Sequence, residues 1–172
     1  MNLDFAMRTI TALHVAISLI SIAAGFVVLT NMWNARIPRV WTGAFLAATA
    51  ATSATGCLLK PLVFDPPQVV GALSLLILAI AIPARYYFQL KGFWRGTYVV
   101  GALLALYLNV FVFIVQAFQK LDFLHATAPT QTELPFVIAQ ALAVAFFVVS
   151  GVYAWRRFVL QGGSDKRAFS QY

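Results

Sequence analysis

Five stretches of the chain run with scarcely a charge, separated by breaks that are polar or carry proline. The apolar stretches are roughly Thr9–Asn31, Trp41–Leu59, Pro67–Ala84, Trp94–Phe118 and Pro135–Trp155. A bilayer core of about 30 Å takes about 20 apolar residues in a helix, so each stretch predicts one membrane-spanning helix. The breaks are Asn34 through Arg39, Lys60 through Pro67, Arg85 through Arg95, and Lys120 through Glu133. The third stretch is the shortest, with Pro83 at its end. The expected fold class is therefore all-α: a polytopic membrane bundle of five transmembrane helices over residues 1–155. A basic tail over 156–172, hinged at Gly162-Gly163, follows it.

Five crossings put the termini on opposite faces, and the charges sort with them. The face of the C-terminus collects Arg36, Arg39, Arg85, Lys91, Arg95, Arg156, Arg157, Lys166 and Arg167, against Arg8, Lys60 and Lys120 on the other. Positive charge stays on the cytoplasmic side, so the N-terminus is expected outside and the C-terminus in the cytoplasm. Trp33, Trp41, Trp94 and Trp155 all fall at the expected cytoplasmic boundary, where amphipathic rings settle among headgroups.

Composition agrees with this reading. Of the 172 residues 62% are hydrophobic and only 10% charged, with a mean hydropathy of +0.85. Soluble domains carry about 25% charged residues, and disordered chains are poor in apolar ones, so both classes are excluded. The net charge of +7 suits an inner rim facing anionic lipid and calls for no nucleic-acid partner. A single cysteine, Cys57, allows no internal disulfide. The first apolar stretch is too long for a cleavable signal. Ala54-Thr55-Gly56-Cys57 echoes a lipoprotein cleavage box but closes the second span, where it reads as helix packing.

From Gly43 to Gly56 every residue except Phe45 and Leu46 is Gly, Ala, Ser or Thr. Small residues let helices in lipid approach closely, so the second span is expected at the centre of the bundle. Ser21 and Gly25 in the first span, and Gly101 and Ala105 in the fourth, are the matching ridges. The run Leu75 to Ile80 in the third is expected to face lipid. No internal repeat supports a duplicated transporter.

No acid, lysine or arginine lies deep in a span, which weighs against charge-coupled pumps and carriers. The neutral polar groups instead gather in the outer half: His14, Thr52, Ser53, Thr55, Asn109, Gln116 and Gln140. Two readings of them stay open. They hydrogen-bond across helices, or they line an outward-facing pocket for water or the head of a small amphiphile, a lipid or a quinone, with Tyr107, Phe111, Phe113 and Phe118 as walls. A channel or carrier for a small neutral solute is the first alternative. The second is a b-type haem electron-transfer protein using His14 and His125. No ligand spacing supports a metal site built from these histidines with Asp122, Glu133 or Cys57. The loop after the fourth span carries Leu121, Phe123 and Leu124, the pattern of a short surface-lying segment. No nucleophile–base pair, phosphate loop or paired carboxylates is present, so no enzymatic activity, catalytic residue or cofactor is expected. The expected partners are membrane lipids, a small amphiphilic ligand, and a larger complex or a second copy.

The chain resembles a group of small bacterial inner-membrane proteins of undetermined function. The resemblance is carried by Leu13-His14 with Gly25, Thr55-Gly56, Ala84-Arg85-Tyr86, Trp94-Arg95-Gly96-Thr97-Tyr98, Leu106 through Phe111, and Ala128-Pro129-Thr130-Gln131. It covers nearly all five spans and implies a five-helix fold in a bacterial inner membrane, with no activity attached. The first two spans also resemble a larger family that pairs a histidine in the first helix with His-Arg before the second. Here Pro38-Arg39 stands at that position with no histidine.

Overall fold

A computed structural model describes residues 3–58 and 66–161. The chain forms α1 (Leu3–Trp33), α2 (Arg39–Leu58), α3 (Pro66–Tyr86), α4 (Phe93–Lys120), a single turn α5 (Asp122–His125) and α6 (Leu134–Ala154). The last continues as a π-helical segment, Trp155–Gln161, and the described residues contain no strand. Among the described residues four segments are long and apolar enough to cross a membrane: Arg8–Trp33, Gln68–Tyr86, Phe93–Lys120 and Leu134–Leu160. They mark the chain as a membrane protein. α2, with 20 residues, has a span's length of about 30 Å. It lacks the apolarity of the other four because Ala, Ser, Thr and Gly replace branched aliphatics.

Contacts between distant residues fix the directions of the helices. Phe26 packs on Phe146 and Phe147 at ring distances of 6.1 and 6.3 Å, and Trp33 meets Tyr153 edge-on at 6.0 Å. α1 and α6 therefore run parallel, while α2 and α4 run against them. One end of the bundle gathers the tryptophans and arginines. There Phe88 lies flat on Trp94 at 3.7 Å, and the guanidinium of Arg95 sits over Phe158 at 5.6 Å. Arg157 sits over Tyr153 at 5.5 Å. A methyl added to Gly96 would stand 2.6 Å from the Trp155 ring. The α3–α4 turn at this end takes positive φ at Gln89, Leu90 and Gly92, and Leu90 folds back into the core.

The centre belongs to α4, which packs on α1, α3 and α6 and buries Tyr98, Val99, Ala102, Ala105 and Leu106. The central place expected for α2 is thus corrected. α2 is flanked by α1 and α3, and Val40, Trp41, Ala47 and Ala51 lie exposed along its free side. Its inward stripe is Thr42, Phe45, Leu46, Thr49, Thr52 and Ser53. Small residues are needed only where α1 closes in. α3 likewise departs from a wholly lipid-facing helix. Leu73, Leu76 and Ile80 are exposed, but Ser74, Leu78 and Ala81 are buried, and Gly101 lets α4 approach Ala81 closely. Pro83 sits inside the last turn of α3, where it cannot donate to the Ala79 carbonyl, and the helix ends three residues later at Tyr86. The surface segment expected after α4 forms as α5, with Leu121 and Phe123 exposed. The Gly162-Gly163 hinge and the Lys60–Asp65 break lie outside the described residues, as does the Cys57 side chain.

Candidate functional site: a polar seam headed by His14

α1 presents His14, Ser18, Ser21 and Gly25 along one face, at the four-three-four spacing that returns a helix to the same side. α2 runs antiparallel and answers with Thr55, Thr52, Thr49 and Phe45. The rungs follow in order. His14 Nδ1 bonds Thr55 Oγ1 at 2.9 Å, the hydroxyls of Ser18 and Thr52 bond each other, and Ser21 and Thr49 meet at 2.6 Å. Asn109 on α4 closes the lowest polar rung, its Nδ2 donating to Ser21 Oγ and to Thr49 Oγ1, each at 3.0 Å. Beneath it the seam turns apolar. A methyl on Gly25 would collide with Leu106 and stand 3.0 Å from the Phe45 ring. In lipid an unpaired hydroxyl or amide is costly, so this mutual pairing is what locks α1, α2 and α4 in register.

Proton accounting assigns the histidine tautomer. Thr55 Oγ1 donates to the carbonyl of Ala51 at 2.7 Å, so towards His14 it can only accept. Nδ1 therefore carries the hydrogen, and Nε2 of the neutral ring offers a lone pair. Among the described residues nothing bonds Nε2, and the half-buried ring borders Gly56, its Cε1 3.4 Å from where a methyl would sit. Gln116 lies seven residues beyond Asn109 on the same face of α4, as His14 lies seven residues before Ser21 on antiparallel α1. That puts Gln116 at the level of His14, with Lys120 one turn further out.

The candidate residues thus divide. His14, Thr52, Thr55 and Asn109 belong to the seam, Gln116 shares the level of His14 without a bond to it, and Ser53 is buried beside Thr52. Gln140 goes elsewhere: its Nε2 donates to the carbonyl of Phe111 at 3.4 Å, and its buried Oε1 lacks a partner. Its depth is close to that of Asn109, but it meets α4 from the side of α6, whereas Asn109 turns to α1 and α2. Gln140 thus bonds a different neighbour from the residues of the seam. The seam hydroxyls bond one another, while a shallow open surface runs along Arg8, Thr11, Ala12, Val15, Ala16 and Leu19 of α1. Ser18, Ser21 and Thr49 are members that the sequence reading did not place in the site; the spacing from His14 carried the signal.

The loop beyond α4 is tied down beside the mouth. Gln131 Nε2 donates to the carbonyl of Val115 at 2.9 Å, and Ala128 is fully buried. Glu133 accepts from Thr130 N (3.1 Å), Thr130 Oγ1 (2.8 Å) and Thr132 N (3.1 Å). Slight burial pushes its carboxyl up, but these bonds outweigh that and hold it below the usual carboxylate range. His125 is exposed at the end of α5. Among the described residues no three His, Cys, Asp or Glu side chains gather closely enough to hold a metal ion. No protein family, no curated protein and no solved structure matches this chain.

Proposed function

We propose that the chain is a five-span protein of a bacterial inner membrane, kin to the small proteins its motifs resemble. In this reading its N-terminus lies outside, and the mouth of the seam binds the hydroxyl-bearing head of a small amphiphile. The charge sorting supports the orientation, since Arg36, Arg39, Arg85, Lys91, Arg95, Arg156 and Arg157 all sit at one end of the helices. α2 lies lengthwise along α1, so it crosses the bilayer when α1 does. The free lone pair on His14 Nε2 is the observation that carries the binding reading. It needs a donor, which favours a quinol or lipid hydroxyl over a bare quinone carbonyl, and the Gln116 amide can both give and accept beside it. No bond is made or broken in this role.

Conduction of a neutral solute gains no support from a seam stopped by Phe45 and Leu106 around Gly25. A bis-histidine haem gains none, because His125, the second ligand it would need, is exposed at the end of α5. The test is mass spectrometry of lipids and quinols retained by detergent-purified protein. His14→Phe should lose a bound species severalfold, whereas Ser21→Ala, deeper in the seam, should retain it. Equal retention in His14→Phe would refute the assignment.

A further inference from the structure

The basic end of the bundle holds a second polar cluster, and this one is not satisfied. Tyr98 on α4 and Thr42 on α2 are both fully buried. The phenol faces Thr42, with Arg85 and Tyr86 of α3 close by. The Tyr98 and Thr42 hydroxyls approach each other without closing a well-formed hydrogen bond, and among the described residues neither they nor the buried Arg85 Nε has another partner. Gly43 brings the Tyr86 hydroxyl up to α2, at 3.7 Å from where a methyl would sit, and the Arg85 guanidinium leans over the Tyr86 ring at 5.7 Å.

All four groups can donate, and one carries a full positive charge. The acids of the described residues, Asp4, Asp122 and Glu133, lie at the opposite end of the helices, so among the described residues no carboxylate stands here. Buried donors are ordinarily satisfied, and a guanidinium flanked by hydroxyls matches the oxygens of a phosphate. Tyr98 lies five residues into α4 and Arg85 one residue from the end of α3. That depth is where the phosphates of a membrane's headgroup layer lie.

We propose that Arg85, Tyr86, Tyr98 and Thr42 form a phosphate-binding site between α2, α3 and α4, supplied by the headgroup of an anionic lipid. The site is independent of ligand binding at His14. It holds the lipid as a structural ligand that completes the packing of α2 on α3 and α4.

The test uses the full chain in uncharged detergent and reads its thermal unfolding midpoint. Three additions are compared: phosphatidylglycerol, diacylglycerol with the same acyl chains, and inorganic phosphate. Phosphatidylglycerol should raise the midpoint by several degrees and diacylglycerol should not. An equal rise with inorganic phosphate supports the site with free phosphate as its source. Arg85→Gln and Tyr98→Phe should each lose most of the increment measured from their own baselines, while Arg39→Gln keeps it. Without additive, Tyr98→Phe should be no less stable than the parent, since it removes an orphaned hydroxyl. A rise with diacylglycerol equal to that with phosphatidylglycerol would overturn the proposal. So would an undiminished increment in both Arg85→Gln and Tyr98→Phe.

Discussion

Replacing Asn109 by leucine removes the one side chain that ties α4 to both α1 and α2 by hydrogen bonds. Leucine keeps the branch at Cγ and replaces the amide oxygen and nitrogen by larger methyl groups, so the change removes the hydrogen-bonding atoms while leaving the shape of the side chain. Two bonds are lost, to Ser21 and Thr49, each 3.0 Å long. Interhelical side-chain bonds in membranes average about 0.6 kcal/mol and reach about 1.7, which brackets the loss between about 1.2 and 3.4 kcal/mol. The remaining hydroxyls still hold each other at 2.6 Å, so no donor is orphaned and the lower half of that range applies, about 1 to 2 kcal/mol. The measurement is reversible unfolding in mixed micelles of denaturing and mild detergent, for Asn109→Leu, Ser21→Ala and the double variant. The cycle should return a coupling of about half a kcal/mol. An unchanged midpoint in Asn109→Leu together with zero coupling would refute the seam as a clamp. Asn109 would then be free to line a path for solute.

Further consequences can be checked in the same way. Gly25→Ala puts a methyl into Leu106 and against the Phe45 ring, so it should destabilise the bundle by about 1–3 kcal/mol through overpacking; a midpoint equal to the parent's would show that Leu106 has room to swing away. Ala51→Leu points outward from α2 and should stay within about 0.5 kcal/mol of the parent, whereas Thr49→Leu at the buried junction should not. The Glu133 carboxyl is held below its usual range, so its contribution to loop order is present above the unfolded value and disappears as pH falls through the folded one. Amide resonances of Thr130 and Thr132 should titrate together in that acid window, and Glu133→Gln should abolish the transition.

Much of the architecture could be read in the sequence because lipid imposes a simple rule: backbone groups must be satisfied within each segment, so length and apolarity suffice to mark a helix. The breaks at Asn34–Arg39, Arg85–Arg95 and Lys120–Glu133 held within a few residues. What failed was position about the helix axis. Small residues at Ala47 and Ala51 looked as useful for packing as those at Thr49 and Thr52, since composition does not say which side meets a neighbour. Gln140 shows the same limit: it sits near the depth of Asn109, yet it meets α4 from the side of α6 while Asn109 turns to α1 and α2. The register of the seam was nevertheless present in the spacing. Positions 14, 18 and 21 on one helix and 49, 52 and 55 on the other form two matched stripes, recognisable once the helices are set antiparallel.

Satisfaction of the seam also argues about where function can reside. A hydroxyl that donates to one neighbour and accepts from another has little left to offer a passing molecule. To move a solute between Ser18, Thr52, Ser21, Thr49 and Asn109, those bonds would have to open together, and then Phe45 and Leu106 would have to part around Gly25. From Thr49 to Thr42 the axis runs seven residues along α2, roughly 10 Å, and it is filled by Phe45 and Leu106 with Ala102, Ala105 and Leu29 among the buried apolar side chains. A narrow dry gap of that length excludes water unless helices separate. Chemistry is available instead at the two ends of this axis, where polar atoms are left over: a lone pair on His14 at one, and buried donors around Tyr98 at the other. The leftovers are opposite in kind. An acceptor at one surface and a cationic donor set at the other suit a protein that holds different molecules at its two ends, with the middle of α1, α2 and α4 as the rigid spacer between them.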